Sequence, residues 1–332
     1  MNSTFNTSFD CKNARNIIQI YILPVICMFG IIFNGFCVVT FWSMVIKNSK
    51  LKFIFCFKCY LFKAINDFSM FILQIFGPIY YCEQCGLSNT LFPNIWFIYF
   101  FSFMETLLVF NSVLLDILAL LNFFVILINK SIWFLSIKSI YLFFGLSVFT
   151  CLFSSLMIVR FKIISYYSLE TNRTIYKIDI TDYYKSEVDK YLRFMTIFFR
   201  DILTFFLIIM FNILIIYQMK KAAKRKKILT HHETTNKNQS SNNNLAKKAA
   251  GKTFLILVYT SIIYLIGHFP LIIYYLPIDK QQTSKLFWDC YYDFSLIPYF
   301  ISFLFPILIN IIFNKHFRNC FKLIFLRLCV AD

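Results

Sequence analysis

The amino-acid sequence predicts an all-α membrane protein, a bundle of seven transmembrane helices followed by a short amphipathic eighth helix. Three observations predict this fold class. The composition is 59% apolar and only 15% charged, seven long apolar segments follow one another, and Lys and Arg concentrate in alternate loops. Soluble domains have about 25% charged residues. Seven Gly, seven Pro and 44 Phe also exclude collagen-like and Gly/Pro-rich disordered chains.

Seven segments are long enough to cross a bilayer, since a helix needs about 20 mostly apolar residues to span about 30 Å of hydrocarbon. The expected spans are 17–42, 53–79, 92–128, 139–159, 191–219, 253–278 and 287–314. The second span is the least apolar, because its first half contains Lys58, Lys63 and Asp67.

The loops between the spans set the orientation. The segments near 43–52, 129–138, 218–252 and 314–332 contain 19 Lys and Arg residues, whereas the alternate segments contain 11. Because cytoplasmic loops are the ones enriched in Lys and Arg, we expect a multi-pass plasma-membrane protein with residues 1–16 outside the cell. The net charge of +17 then reflects contact with the lipid bilayer, and no nucleic-acid partner is expected.

Glycosylation sequons agree with this orientation. Asn2, Asn6 and Asn172 each begin an Asn-x-Ser/Thr sequence on the predicted outer side, and they are the candidate glycosylation sites. Two further matches, at Asn129 and Asn238, lie on the inner side, so any single match is weak support.

The loop between spans five and six is basic and polar. Residues 220–252 combine a run of four basic residues, 224–227, with a stretch rich in Asn, Thr and Ser, 234–244. This composition predicts a partly disordered cytoplasmic loop that is attracted to anionic lipid. Docking of a protein partner on the same basic run is compatible with this interpretation.

The segment after span seven, 315–332, has the pattern of a helix lying in the membrane interface. Its apolar residues recur at helical spacing and its basic residues lie off that stripe. The stripe consists of Phe317, Phe321, Ile324 and Phe325. Cys320 and Cys329 lie beside it as lipidation candidates, with an unmodified thiol as the alternative.

Four of the eleven cysteines are expected outside the cell, namely Cys11, Cys82, Cys85 and Cys290. Four cysteines allow three pairings, among which the sequence does not choose. We expect at least one bridge from the loop 78–93 to the N-terminus or to the outer end of span seven. No second ligand pair accompanies Cys82 and Cys85, so neither a metal site nor a cofactor is expected.

Charged residues inside the spans are informative, because each costs about 2.5–3.5 kcal/mol on insertion scales unless it finds a partner or water. Lys63 and Asp67 are four residues apart on one helical face and can pair. Alternatively, Lys63 extends to the inner headgroups and water bridges Asp67. Asp116 is expected in the same inner polar region, with Asp67 or Asn310.

Several local motifs carry a resemblance to a known family. Phe313-Asn314-Lys315-His316-Phe317-Arg318 follows span seven, and Leu121–Ile126, with Asn122 and Phe123, ends span three. Asn34 lies in span one, Asp67 in span two and Pro270 in span six. These motifs resemble the rhodopsin-like G-protein-coupled receptors, in a divergent invertebrate branch, and the resemblance covers nearly the whole chain. The first motif is similar to the Asn-x-x-Phe-Arg start of that family's eighth helix, and Asn122 and Phe123 occupy the place of its Asp-Arg-Tyr.

The sequence also departs from the family pattern. Phe123 stands where the family has Arg, and Ala250 stands where some members have the acid that pairs with that Arg. Pro306 resembles the proline of the span-seven Asn-Pro-x-x-Tyr motif, but the Asn and Tyr are missing. His268 replaces the Trp that is common before the span-six proline, and residues 160–193 lack the usual cysteine. Coupling to a G protein is therefore implied by architecture alone.

The resemblance implies a cell-surface receptor that binds an extracellular amine, peptide or odorant and signals through a heterotrimeric G protein. Glu105, seventeen residues before Asn122, aligns with the family position that faces the outer ligand cavity. Arg200, Asp201 and His268 complete the expected ligand contacts. The inner polar core and switch would consist of Asn34, Lys63, Asp67, Asp116, Asn122, Phe123, Pro270, Pro306 and Asn310.

Several alternatives stay open for these residues. Glu105 could pair with Arg200, hydrogen-bond a neighbouring helix or be solvated, and His268 could be a hydrogen-bonded core residue. Arg200 and Asp201 are adjacent and project about 100° apart on a helix, so at most one should face the cavity squarely.

The alternative functions are a transporter or ion channel, or a seven-helix protein that does not couple to G proteins. An odd number of spans without inverted repeats argues against a transporter. No catalytic residues are expected, because three of the four His lie in cytoplasmic segments away from acids and nucleophiles.

Overall fold

The structure is a computed structural model that describes residues 13–47, 54–78, 89–128, 139–156, 158–169, 172–230, 240–275 and 285–330. Most of these residues are helical, and they also include one two-stranded sheet. Helix α1 is Leu23–Lys47, continued from a π-helical turn at Ile17–Ile22, and α2 is Ile54–Ile75. Helix α3 comprises Leu91–Ile95, the π-helical Trp96–Ser102 and Phe103–Leu127, and α4 is Ser139–Ser155.

The second half of the chain begins with a 3₁₀ turn at Ile158–Arg160, β1 at Phe161–Ser168, β2 at Arg173–Ile180 and the short α5 at Asp182–Lys185. Helix α6 comprises Glu187–Ile197, the π-helical Phe198–Leu203 and Thr204–Thr230. Helix α7 is Ser240–Tyr275, α8 is Lys285–Ser302, α9 is Phe305–Phe313 and α10 is Lys315–Val330.

Six helical stretches in the described residues are long and apolar enough to cross a membrane. They are Asn13–Ile46, Leu91–Leu127, Ile140–Arg160, Glu187–Lys221, Leu255–Tyr274 and Cys290–Phe313. The protein is therefore a helical membrane protein of the multi-pass type. Helix α2 falls short of this criterion, because it has three charged residues, Lys58, Lys63 and Asp67, within its 22 residues.

The helices form a closed ring. Helix α1 packs on α2, α2 on α3, α3 on α6, α6 on α7, and α7 on α8 and α9, while α8 returns to α1. Helix α4 packs on α3, and much of its apolar surface, including Phe144 and Leu152, is exposed. Apolar surface of this kind is typical of a lipid-facing helix.

Helices α7 and α8 approach each other closely at Gly267. A Cβ atom added to Gly267 would lie 2.4 Å from the Cβ atom of Ser302 and 2.9 Å from the carbonyl oxygen of Pro298. Neither distance is compatible with a side chain, so the absence of one at Gly267 sets the approach of the two helices.

The seventh expected span is broken into α8 and α9, whereas the sequence predicts one continuous segment, 287–314. Pro306 lies in the first turn of α9. Proline has no N–H to donate and its ring crowds the carbonyl four residues earlier, here that of Ser302, where α8 ends. The break leaves the Phe303 carbonyl open to α1, and the side-chain amide of Asn34 donates to it at 3.4 Å.

Two other boundaries differ from the expected ones. Helix α6 begins at Glu187 rather than near residue 191, because the Ser186 hydroxyl accepts a hydrogen bond from the Asp189 amide and caps the helix. Helix α7 begins at Ser240, inside the stretch 234–244 that the composition marks as irregular, and the residues 231–239 lie outside the described ones.

Helix α10 follows α9 directly. The Asn314 side chain joins them, because its Oδ1 accepts a hydrogen bond from the Phe317 amide at 3.1 Å. Phe317 is fully buried against Phe41 of α1, with ring centroids 5.0 Å apart, and Phe321 packs on Phe36. The apolar stripe of α10 thus faces α1 at these two positions, while the side chains of Ile324 and Phe325 lie outside the described residues.

A β-hairpin occupies most of the segment 160–193, which follows the fourth expected span and was not predicted to contain strands. Strands β1 and β2 pair antiparallel from Phe161 with Ile180 to Ser168 with Arg173. Asn172, near the turn, has a left-handed backbone conformation that asparagine tolerates. Two runs rich in Ile, Tyr and Thr flank this turn, and they are the signal that could have predicted the hairpin.

Candidate functional site: two charged clusters in the bundle

The outer charged cluster consists of Glu105 on α3 with Arg200 and Asp201 on α6. Arg200 and Asp201 lie in the π-helical turn of α6 and form a bidentate pair. The Arg200 Nε donates to Asp201 Oδ1 at 3.0 Å, and Nη2 donates to Oδ2 at 2.7 Å. Although adjacent residues diverge on a helix, the long Arg200 side chain turns back to its neighbour, so together the two have no net charge.

Glu105 begins the third part of α3, just beyond the π-helical turn at Trp96–Ser102, and is half-buried. Among the described residues it makes no hydrogen bond or ion pair, although the charge of Arg200 acts on it. Direct pairing with Arg200, one of the alternatives left open by the sequence, is therefore not formed. The outer cluster has one negative charge in excess.

Tyr299 on α8 connects this cluster to the rest of the bundle. The charges of Arg200, Glu105 and Asp201 all act on its buried hydroxyl group. Residues of α3, α6 and α8 therefore converge at one level of the bundle, and Cys27 of α1 is also within reach of the Glu105 charge.

His268 on α7 lies deeper and is almost fully buried. Its Nδ1 is 3.0 Å from the Tyr264 carbonyl oxygen, and we assign the ring proton to Nδ1 because only a donor satisfies that oxygen. The ring also meets Tyr299 and Phe303 edge-on, at centroid distances of 4.8 and 5.6 Å. His268 is thus a packed core residue, and its Nε2 has no hydrogen-bond partner among the described residues.

The inner charged cluster consists of Lys63, Asp67 and Asp116. The Lys63 Nζ is 3.4 Å from Asp67 Oδ2 and 3.1 Å from Asp116 Oδ2, and the Ser112 hydroxyl donates to Asp67 Oδ1 at 2.8 Å. Lys63 is 4% exposed, so the side chain does not extend to the headgroups, and the predicted pair with Asp67 is present. The ammonium group also lies over the Phe303 ring, 5.2 Å from its centroid.

A small cavity adjoins Asp116 between α2, α3, α6 and α7. The polar residues along it are Tyr60, Asp116, Thr260, Ser261 and Tyr264. The space open to the centre of a water molecule is about 10 Å³, roughly enough for one water. Thr260 Oγ1 and the Tyr264 hydroxyl are buried without a hydrogen-bond partner among the described residues; Thr204 is near Tyr264, but the two hydroxyls do not meet hydrogen-bond geometry.

Of the remaining residues predicted for the inner core, four are buried, namely Asn34, Asn122, Phe123 and Asn310, and the two prolines, Pro270 and Pro306, are half-buried. Asn122 donates to the Cys56 sulfur at 3.2 Å, and Phe123 is fully buried. Asn310 donates to the Pro306 carbonyl and accepts from Asn314, so its side-chain hydrogen bonds lie within α9 and at its junction with α10. Pro270 lies within α7, two residues after His268. Asp116 therefore associates with Asp67, through Lys63, rather than with Asn310.

Three ion pairs that were not predicted from the sequence lie at the end of the bundle that carries the hairpin. Asp189 is fully buried, with Arg160 at 2.7 Å and Arg193 at 2.8 Å. Arg15 donates to Asp293 at 2.8 Å, which joins the start of the chain to α8. The four-residue spacing of Asp189 and Arg193 was a signal for the second of these pairs.

The cysteines are only partly described. Cys290 is disulfide-bonded, and the six other described cysteines, at positions 27, 37, 56, 59, 151 and 320, are free. The disulfide partner of Cys290 therefore lies outside the described residues. The other predicted sites that also lie outside them are Cys11, Cys82, Cys85, Asn2, Asn6 and the side chain of Cys329. Asn172 is exposed on the hairpin, and Cys320 is half-buried.

No protein-family model matches this chain, and a search of curated proteins finds no match either. Within the described part of the chain, no group of three or more His, Cys, Asp or Glu side chains is placed to hold a metal ion. The two charged clusters, and the bundle that positions them, are therefore the features that bear on function.

Proposed function

We propose that the protein is a cell-surface seven-helix receptor that binds an extracellular ligand at the outer charged cluster and signals through a heterotrimeric G protein. Helix α2 supplies the seventh span. It packs between α1 and α3, both of which belong to candidate spans, and two of its charged residues, Lys63 and Asp67, are buried in the bundle rather than exposed to lipid. Paired interior charges are the form in which ionisable residues occur within membranes.

The proposed orientation has the N-terminus outside the cell and α10 at the inner face of the plasma membrane. The concentration of Lys and Arg near the ends of α1, α6 and α7 and along α10 supports it. The β-hairpin then covers the outer end of the bundle, where the Tyr176 amide donates to the Asn89 carbonyl and the Asn94 side chain donates to the Tyr176 carbonyl.

The single observation that supports a ligand site most strongly is the Glu105 carboxylate without an ion-pair partner among the described residues. This half-buried carboxylate lies on α3 at the level of Arg200 and Tyr299, while Arg200 is neutralised by Asp201. An unpaired charge in this setting costs about 2.5–3.5 kcal/mol unless water or a ligand compensates it. We infer that a cationic group, such as an amine, is the ligand feature that this site recognises.

A packed path connects the outer cluster to the inner one. Tyr299 interacts with the outer charges and touches His268, His268 touches Phe303, and Phe303 lies under the Lys63 ammonium group. A ligand that displaces Tyr299 would therefore move the ring on which Lys63 rests. The break between α8 and α9 lies beside Phe303 and gives this part of the bundle a point at which to bend.

The test is ligand-dependent recruitment of a G protein in cells expressing the chain, with pools of amines, peptides and odorants. A cationic ligand should activate the wild type, and Glu105→Gln should weaken its potency by roughly tenfold or more, because the substitution removes a charge-assisted contact worth about 1.5–3 kcal/mol. Glu187→Gln, on the exposed start of α6, is the matched control and should leave potency unchanged.

Two results would contradict the proposal. Equal potency in the Glu105→Gln variant and the wild type would remove Glu105 from the ligand site. Ion or solute flux through the purified protein in liposomes, together with no recruitment of a G protein by any pool, would favour the transporter or channel alternative.

A further inference from the structure

The inner charged cluster has one more negative charge than positive charge. Asp67 and Asp116 are 2% and 7% exposed, and Lys63, the cation between them, is 4% exposed. Bulk water does not screen this excess negative charge, because all three side chains are enclosed by the bundle. A buried excess charge requires a compensating charge or the loss of the charge itself.

The groups that face the cluster do not supply that charge. They are Cys37 on α1, Cys59 and Tyr60 on α2, and Tyr264 and His268 on α7, while the Arg200–Asp201 pair on α6 and Tyr299 on α8 belong to the outer charged cluster. Thiols and phenols are neutral near pH 7, and the Arg–Asp pair has no net charge. On α4, Tyr141 and Cys151 are exposed.

Among the groups that face the cluster in the described part of the chain, His268 is the one that could become cationic, and its packing opposes this. Its Nδ1 already uses its proton on the Tyr264 carbonyl, so a second proton would be on Nε2. That atom is buried among rings and has no acceptor among the described residues. Burying an unpaired N–H on a charged ring is unfavourable, so His268 stays neutral.

We propose that the Lys63–Asp67–Asp116 cluster is a proton-binding site that holds one proton on Asp116. This inference depends on the helical bundle alone and goes beyond the proposed receptor function. With the proton bound, Lys63 and Asp67 form a neutral pair and Asp116 is an uncharged carboxylic acid, so the cluster has no net charge.

Hydrogen bonding assigns the proton to Asp116 rather than to Asp67. Asp67 accepts from the Ser112 hydroxyl on one oxygen and faces Lys63 with the other, so both of its oxygens are stabilised as a carboxylate. Asp116 has only the Lys63 contact, on Oδ2, among the described residues. Its carboxyl group also lines the cavity, where one water could accept the acid proton.

A bound sodium ion is the competing way to balance the charge. The ammonium group of Lys63 already lies 3.1 and 3.4 Å from one oxygen of each carboxylate, so it occupies the place where a cation would bridge them. A hard cation also requires about six oxygen ligands. The geometry therefore favours a proton.

The experiment is infrared spectroscopy of the full-length protein in lipid nanodiscs near pH 7, which counts protonated carboxyl groups by their C=O stretch. If charge balance sets the protonation of the cluster, the number of protonated carboxyl groups in it equals the number of its carboxyl groups minus the number of its ammonium groups. Asp116→Asn and Asp67→Asn should each lose one protonated carboxyl relative to wild type, and Lys63→Met should gain one. Glu187→Gln, at an exposed position, should change nothing.

The two Asn variants keep the inference testable even if Lys63→Met fails to fold. The same carboxyl signal in wild type and in both Asn variants would overturn the inference, because no proton would then depend on this cluster. Loss of the signal in Asp116→Asn alone would overturn the charge-balance argument. A signal that is present in choline chloride but absent in sodium chloride would show that the site takes a sodium ion instead.

Discussion

Asp189 is the residue whose removal should most clearly destabilise the β-hairpin. Its carboxylate is fully buried and balances Arg160, which is 3% exposed, and Arg193. Arg160 also forms the base of the β-hairpin, because its carbonyl accepts the Thr181 amide at 3.0 Å. Asp189→Ala would remove the carboxylate that pairs with the buried Arg160 guanidinium, and breaking a buried pair in this way costs about 3–5 kcal/mol.

The expected consequence is a local opening of the hairpin rather than loss of the bundle. Since each 1.4 kcal/mol is a factor of ten, amide exchange in residues 161–180 should accelerate by roughly 150- to 4,000-fold. Hydrogen exchange measured by mass spectrometry in nanodiscs provides the readout. Glu187→Gln, which breaks the exposed pair with Lys190 on the same helix, should change exchange by less than about fivefold.

Equal hairpin exchange in the Asp189→Ala and Glu187→Gln variants would refute this reasoning, because it would mean that the buried pair does not hold the hairpin. Faster amide exchange in α1 and α3 as well would show that Asp189 stabilises the whole bundle and not the hairpin alone.

Three further predictions concern the helix contacts. Gly267→Ala should lower the free energy of unfolding by about 1–3 kcal/mol, because the new Cβ meets Ser302 and Pro298. Gly145→Ala is the control and should not be destabilising, because the space around that position is open. Thermal unfolding in detergent compares the two variants, and equal midpoints would contradict the tight contact. Asn314→Ala should cost about 1 kcal/mol and make α10 more susceptible to limited proteolysis, since it removes the cap on the Phe317 amide; unchanged cleavage would count against that role. Phe123→Arg should reduce the yield of folded protein on size-exclusion chromatography, because an unpaired charge at this fully buried position costs about 2.5–3.5 kcal/mol. A yield equal to that of the wild type would contradict this, since it would mean that the side chain at position 123 reaches water.

Long apolar segments made the helices predictable. The third span was expected at 92–128 and is found at Leu91–Leu127, because apolar length alone defines it. The hairpin was missed because its strands are half-exposed and their alternation is weak. The break at Pro306 was predictable only in part, since the proline indicates an irregular helix but not the carbonyl that Asn34 would satisfy.

The charged clusters were predictable only in part. The spacing of Lys63 and Asp67 predicted their pair, but the contact of Lys63 with Asp116 joins two helices and depends on the rotation of both. The same limit applies to Arg200 and Asp201, whose helical projection suggested divergence although the flexible arginine closes the pair. Glu105 was singled out by the resemblance, while its lack of a described partner is visible only in the structure.

The number of spans is the central claim, and the sides on which the two termini lie test it most directly. If α2 crosses the membrane with the six candidate spans, the count is odd and the termini lie on opposite sides. A tag fused at Met1 should then be accessible to antibody on intact cells, while a tag at Asp332 should be accessible only after permeabilisation. Accessibility of both tags on intact cells, or of the Asp332 tag alone, would contradict the account.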